Sequence, residues 1–256
     1  MVKDAWLVAV LITGASGKLG SKLVKVFPGA ICPTSRELDI TDKDAVNKWV
    51  REHRPEMIIH AAALTGIREC EENKALAWKT NVSGTENLLG SCDDRSSKPY
   101  FVYVSTACVF FGDRGGYNEW DVPHPKNYYA LSKLLGESAV RNSRVRWLII
   151  RTNFVPREKW PYPAAFTDRF GTYLFADDLA LAIKKVTEQE IVGIVHVCGT
   201  KKMSMFELAR LTTREVKPMS ISDYIGPPLT MDMSLKSSRI PSFDLSMRGL
   251  ELAQSA

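Results

Sequence analysis

Residues 5–20, AWLVAVLITGASGKLG, decide how this chain folds. Residues 5–12 are all apolar and rich in Val, Leu and Ile. A continuous apolar run, without alternation, fits a strand covered on both faces of a parallel sheet. It passes into Thr13-Gly14-Ala15-Ser16-Gly17-Lys18-Leu19-Gly20 and then into a helical pattern through Ser21-Lys22-Leu23-Val24-Lys25-Val26-Phe27. Strand, glycine turn and helix start are what a pyrophosphate site needs. The glycines let backbone approach phosphate, and the helix start offers free N–H groups and a positive dipole end. The candidate contacts are Gly14, Ser16, Gly17, Lys18, Leu19 and Gly20. A plain tight turn is the bland reading, and the buried strand before it argues for the nucleotide.

The next segments speak to which dinucleotide. A second strand near Ala30-Ile31-Cys32 runs into Pro33-Thr34-Ser35-Arg36-Glu37. An acid at the strand's end would bind a ribose 2′-hydroxyl, as in NAD. Here hydroxyls and Arg36 come first, and a guanidinium suits a 2′-phosphate. The expectation is therefore NADP(H), with NAD(H) kept open by Glu37. Asp39 is placed near the adenine, or else in turn chemistry before the next helix. A third strand, Met57-Ile58-Ile59-His60, ends in Ala61, Ala62 and Ala63, small enough for backbone to lie against the dinucleotide. His60 at a buried strand end reads as a hydrogen-bonded core residue.

Tyr100-Phe101-Val102-Tyr103-Val104 is another apolar strand, ending in Ser105 and Thr106. A hydroxyl at a strand's carboxyl end faces the ligand crevice of an open α/β sheet. Thr106 is placed to donate to a substrate carbonyl as charge develops there, with Ser105 on the other side of the strand. In Tyr129-Ala130-Leu131-Ser132-Lys133, residues i and i+4 share a helix face. An ammonium there would lower the phenol's pKa from its usual value of about 10. Such pairs are common on helix surfaces, and this one gains meaning only behind a nucleotide turn.

The runs VSTACVFFGD and NYYALSKLLGE resemble the extended short-chain dehydrogenases/reductases, and within them the dTDP-4-dehydrorhamnose reductases. GASGKLG, RELDITDKDAV, HAAALTGIRECEENKALAWKTNVSGTENLL and WLIIRTNFV add to the likeness over roughly residues 7–155. The resemblance implies that Thr106 orients the substrate, Tyr129 gives a proton, and Lys133 also holds the nicotinamide ribose. It implies that Asn81 supports a water relay to that lysine. Two departures stand out. The stretch between Asn153 and Thr172 is short, and the arginine expected just before Pro227-Pro228-Leu229-Thr230 is missing. Arg157, Lys159 and Arg169 are the cations left to meet a substrate diphosphate, unless they are surface charges.

The chain has 256 residues, 45% of them hydrophobic and 25% charged, with net charge +5. That describes an ordinary globular protein. Its basic residues are spread out, which suits an anionic cofactor and substrate and argues against nucleic acid. Five scattered cysteines without a C-x-x-C pair suggest reduced thiols, a cytoplasmic setting and no metal site. No apolar run reaches membrane-spanning length. The expected architecture is an α/β, Rossmann-like, doubly wound parallel sheet with a small C-terminal substrate-binding lobe. Residues 1–155 form the NAD(P)-binding part. Residues 156–256 mix lobe and returning sheet elements, with a capping box at Ser204 and Glu207. The expected activity is NADPH-dependent reduction of the C4 keto group of a 4-keto-6-deoxy sugar nucleotide, by a homodimer. The rivals are an NAD-dependent sugar-nucleotide epimerase or dehydratase, and a non-catalytic NADP-binding regulatory subunit.

Overall fold

The computed structural model describes residues 8–93 and 98–246. The expectations for residues 5–7, for most of the 93–98 loop and for a frayed tail beyond Ser246 fall outside them. In chain order come β1 (Val10–Thr13), α1 (Gly20–Val26), α2 (Lys43–His53), β2 (Met57–His60), α3 (Ile67–Glu72) and α4 (Lys74–Trp78). A π-helical turn, Lys79–Ser83, joins α4 to α5 (Gly84–Gly90). Then follow β3 (Tyr100–Val104), α6 (Tyr128–Arg141) and β4 (Arg146–Arg151). Short strands β5 (Phe154–Val155), β6 (Ala164–Phe166), β7 (Phe170–Gly171) and β8 (Leu174–Phe175) lead to α7 (Ala176–Glu188) and β9 (Gly193–His196). The chain continues through β10 (Met203–Ser204), α8 (Met205–Arg210), β11 (Lys217–Met219) and β12 (Asp232–Met233).

Strands β1, β2, β3, β4 and β9 form one parallel sheet in that order. The strand expected at 30–32 shrinks to one bridge. Ile31 bonds Val10 and Ile12 at 2.7 and 2.9 Å on the free side of β1. Gly29 before it has φ +82°, and Pro33 after it has no N–H to give, so the ladder stops at once. With Ile31 on one side of β1 and β2 on the other, the sheet changes its direction of growth at β1. In open α/β sheets ligands bind in the crevice beyond such a switch point.

Side chains alternate along each strand, so every strand feeds two cores. On one face Ile12, Ile59, Val102 and Leu148 pack with Leu23 of α1 and with Leu179 and Ile183 of α7. On the other, Leu11, Ile58, Phe101 and Ile149 pack with Val46 and Val50 of α2, Leu88 of α5 and Val140 of α6. A third cluster, including Phe110, Tyr117, Tyr173 and Leu235, lies under the three-stranded sheet β10-β7-β12. Ser204 and Glu207 form the expected capping box at the start of α8.

His60 is the core residue the sequence suggests. Thr85 gives its proton to the Asn81 carbonyl at 2.8 Å. Its oxygen is thus free to accept from His60 Nε2 at 3.0 Å, and Nδ1 meets the Thr13 hydroxyl at 2.7 Å. Burial, with the Lys133 charge nearby, holds this imidazole neutral down to a pKa of about 3. Among the described residues no helix is long and apolar enough to cross a membrane, and the five cysteines are free. Leu148 is fully buried between α7 and the sheet. Leu148→Ala should lose about 2–5 kcal/mol of stability, read from urea unfolding.

Candidate functional site

The glycine turn closes where β1 and β2 end side by side. Gly14 has φ +72°, and a Cβ there would lie 2.6 Å from the Ala62 backbone nitrogen. A Cβ on Gly20 would lie 2.0 Å from the Gly14 carbonyl oxygen. The N–H of Gly17 donates to that same carbonyl at 2.9 Å. These contacts explain why the turn needs glycines and why small residues face it from β2. A cavity of about 520 Å³ opens above, walled in part by Gly14, Ser16, Gly17, Asp39, Ala62 and Lys79. Ala61, Ala63 and Ser35 line it too.

Not every expected contact points there. Leu19 is buried in the core beneath the sheet, so only its backbone belongs to the turn. Lys18 lines the neighbouring cavity instead. Arg36 is exposed and is not in the cavity wall, although Ser35 before it is. Glu37 is folded back on Thr34, accepting from its N–H at 2.7 Å and its hydroxyl at 2.9 Å. Asp39 takes the turn role considered for it, its carboxylate making the Thr41 turn at 2.8 Å, and also lines the cavity. Lys79 was not singled out from sequence. Its place two residues before Asn81, on a helix entering the crevice, was the signal.

A second cavity, about 300 Å³, adjoins the carboxyl ends of β3 and β4. Thr106, Tyr129, Asn153, Trp160, Arg169 and Tyr173 are among its lining residues. Thr106 caps a short 3-10 turn, its oxygen accepting from the Cys108 N–H at 3.1 Å. Tyr129 lies beside it in the cavity wall. Burial pushes the Tyr129 phenol's pKa above its usual value, and the nearby Thr106 is the influence that opposes the rise. Ser105 points the other way, as expected, donating to Glu137 at 2.5 Å.

One expectation is corrected by the geometry. Lys133 does not set its charge beside Tyr129. Its ammonium lies 4.0 Å from the centre of the Tyr103 ring, buried beneath the cleft, and Tyr129 gains no downward pull from it. Helical spacing put the two residues on one face, but a long side chain chooses among several partners on that face. Asn81, expected to support a water relay to Lys133, makes three direct hydrogen bonds of its own beside the cleft. Its Oδ1 accepts from the Leu64 N–H at 2.8 Å, and Nδ2 donates to the Leu64 carbonyl and to Ser132 Oγ, both at 2.9 Å. Ser132 in turn donates to the Tyr129 carbonyl at 2.8 Å. Asn81 thus ties the cleft's edge to the first turn of α6.

The cations of the short segment separate. Arg157 pairs with Asp177 and Asp178 at 2.9 and 3.0 Å, at the start of α7. Lys159 is exposed. Arg169 is buried in the cavity wall. It donates to the Thr230 carbonyl at 3.0 Å and turns its other nitrogens to the sulfurs of Met205 and Met233. The late segment meets the cavity through Met233, and Asn127 holds its Pro228 carbonyl at 2.9 Å. A larger cavity of about 630 Å³, walled by Trp120, Val122, Arg141 and Arg239, lies apart and holds no such hydroxyl and phenol pair.

A family model described as the RmlD substrate binding domain matches residues 8–160. The chain belongs to this family. A relative named dTDP-4-keto-6-deoxy-D-glucose reductase, from Streptomyces niveus, is 32% identical over 82% of this chain and 78% of its own length. Methionine adenosyltransferase 2 subunit beta from Bos taurus is 26% identical over 93% of this chain and 83% of its own. Among solved structures, dTDP-4-dehydrorhamnose reductase from Bacillus anthracis in complex with NADP superposes with a TM-score of 0.86. It is 27% identical and covers 96% of this chain and 98% of its own. The matched range holds the glycine turn, strands β1 to β4 of the sheet, Thr106 and Tyr129.

Gly14 and Gly29 provide a controlled comparison, since both have positive φ. Nothing lies within 4 Å of a Cβ on Gly29. Gly29→Ala should cost about 1–2 kcal/mol of stability and leave dinucleotide binding intact. Gly14→Ala should cost more stability and lose binding as well, read by dinucleotide titration of the folded variant.

Proposed function

We propose that this chain is an NADPH-dependent reductase acting on the C4 keto group of a 4-keto-6-deoxy sugar nucleotide. The observation that carries the reading is that the Thr106 hydroxyl and the Tyr129 phenol line one cavity beside the glycine-lined crevice. The reductase names of the Streptomyces relative and of the Bacillus structure, the latter with NADP, support it. The crevice suits a dinucleotide because Gly14 and Gly20, where a Cβ would meet backbone, let the turn close tightly against the end of β2 and leave the crevice beyond it open. Gly14, Gly17 and Ser16 would hold the diphosphate, with Ala61, Ala62 and Ala63 along its other side. Asp39 and Lys79 would flank the adenosine end, and Arg36, just outside the wall, would meet a 2′-phosphate. Such a cofactor supplies the hydride that reduces the ketone.

The chain's own residues do the rest. Reduction leaves negative charge on the former carbonyl oxygen, which needs a proton and a hydrogen bond. Tyr129 is suited to give the proton, because burial keeps its phenol protonated across neutral pH. Thr106 can offer its hydroxyl hydrogen to the substrate oxygen while its own oxygen stays anchored by the Cys108 N–H. Lys133, beneath them, would grip the nicotinamide ribose. Asn81 fixes the turn that carries Tyr129. Residues of the 156–256 part, Trp160 and Arg169 among them, would form the sugar-nucleotide wall. We infer a homodimer from Trp78 and Leu131, which stay partly exposed on the neighbouring helices α4 and α6.

The test is NADPH consumption with a dTDP-4-keto-6-deoxy sugar, made with and without its 3,5-epimerase. Oxidation should require the keto sugar. No oxidation by a protein that still binds NADPH would favour the regulatory-subunit reading, to which the Bos taurus relative lends weight. Tyr129→Phe should cut turnover roughly 100- to 10,000-fold while NADPH affinity is kept. Wild-type turnover in that variant would remove Tyr129 from the chemistry.

A further inference from the structure

Arg169 stands in the wall of the cavity that Thr106 and Tyr129 also line, and it is 7% exposed. Backbone fixes it there. The Met205 N–H donates to its carbonyl at 2.8 Å, and β7, which starts at the next residue, pairs with both β10 and β12. These pairings bring Met205 and Met233 to the guanidinium. Nε donates to the Thr230 carbonyl at 3.0 Å, while Nη1 and Nη2 meet the two thioether sulfurs, at 3.3 and 3.5 Å. A thioether is a weak acceptor, and a guanidinium has five N–H groups to satisfy and cannot shed its charge. Taking such a cation out of water is costly unless an anion meets it. We propose that Arg169 holds the diphosphate of the sugar nucleotide, phosphate oxygens displacing the two sulfurs as acceptors for its terminal nitrogens. The proposal rests on the reading of this cavity as a sugar-nucleotide site.

The acids of the neighbouring segments are engaged elsewhere. Asp168, just before Arg169, accepts from Ser220 Oγ at 2.6 Å and from the Ile221 N–H at 2.9 Å. Asp232, opposite Phe170 in the register of β12 with β7, is paired with Lys202 and accepts from Ser234 Oγ at 2.6 Å. Glu158, in the same cavity wall, lies largely exposed and pairs with Lys22 at 3.3 Å. Arg157 already has two aspartates. Among the described residues Arg169 therefore carries a buried charge with no carboxylate paired to it. A second donor stands in the same wall. The Tyr173 hydroxyl is buried and has no hydrogen-bond partner among the described residues, and burial raises its pKa, so it keeps its proton. Two donors in one wall, both short of an oxygen acceptor, suit a ligand rich in acceptors. A diphosphate is one, and its oxygens match the fork of a guanidinium two at a time.

The test titrates dTDP and thymidine, by calorimetry, into the full chain saturated with NADP⁺, which keeps the probes out of the dinucleotide crevice. The wild type should bind dTDP more tightly than thymidine. Arg169→Met, which matches the two methionines beside it, should weaken dTDP about 10- to 100-fold and leave thymidine unchanged. An unchanged dTDP affinity overturns the proposal. So does an equal loss for both probes, which a merely structural arginine would give, and so does a wild type that binds dTDP no better than thymidine. Arg169→Met leaves the Thr230 carbonyl without its donor and risks misfolding. Arg169→Lys keeps the charge but not the fork, so it should also lose dTDP affinity, by less, and an unmoved value there overturns the proposal equally. A protein that binds dTDP through Arg169 yet reduces no keto sugar would sink the reductase reading alone. A reductase whose KM for the keto sugar ignores Arg169→Met would sink this proposal alone.

Discussion

Helices cover the central sheet on both faces, and that constraint arranges everything polar in the molecule. A strand buried on both sides has no place for an unsatisfied polar side chain along its length. Polar residues therefore collect where strands leave the sheet. Thr13 and His60 stand at the ends of β1 and β2, Ser105 and Thr106 follow β3, and Arg151, Thr152 and Asn153 close β4. All these ends lie on one edge because the strands are parallel. The site is thus the edge along which a two-sided core releases its polar groups.

That edge also concentrates charge out of water. Arg151, Glu137 and Lys133 are all nearly inaccessible. A buried ion pair is weak evidence for stability, since desolvation offsets most of the attraction. What the pair offers is geometry. The guanidinium grips the carboxylate through two nitrogens, so the helix end and the strand end cannot slide past one another. The Asn81 amide does similar work with neutral groups, joining the 64–65 segment to α6. Tyr129 and Thr106 line the cavity between these clamps.

Backbone demands were readable from sequence because few residue types meet them. Gly14 and Gly20 admit no Cβ, the alanines after β2 face them, and the Ser204 box follows from hydroxyl and carboxylate three residues apart. His60 was readable for the same reason, since a histidine at the end of an apolar strand must find partners. Long side chains were harder. Spacing said that Lys133 shares a face with Tyr129, but not that the Tyr103 ring takes its ammonium from the sheet side. Arg157 and Arg169 looked alike in sequence. One meets two aspartates on α7 and the other two thioethers, a difference made by residues up to 64 positions away. The second strand failed as a strand because Gly29 and Pro33 bracket it.

The π-helical turn at Lys79–Ser83 gives one helical rod two addresses. An extra residue in a turn shifts everything after it by about 100° around the axis relative to a straight helix. Upstream, Leu76, Lys79 and Thr80 look into the nucleotide crevice. Downstream, Thr85, Leu88 and Leu89 look into the core. Without the slip, a rod aimed at the core would turn its first half away from the crevice. Losing a single residue between 79 and 83 would leave the helix count unchanged and still unhitch the crevice wall from the sheet. The turn works as a phase shifter, and sequence alignments that open a one-residue gap there would be marking a change in what the cleft can hold.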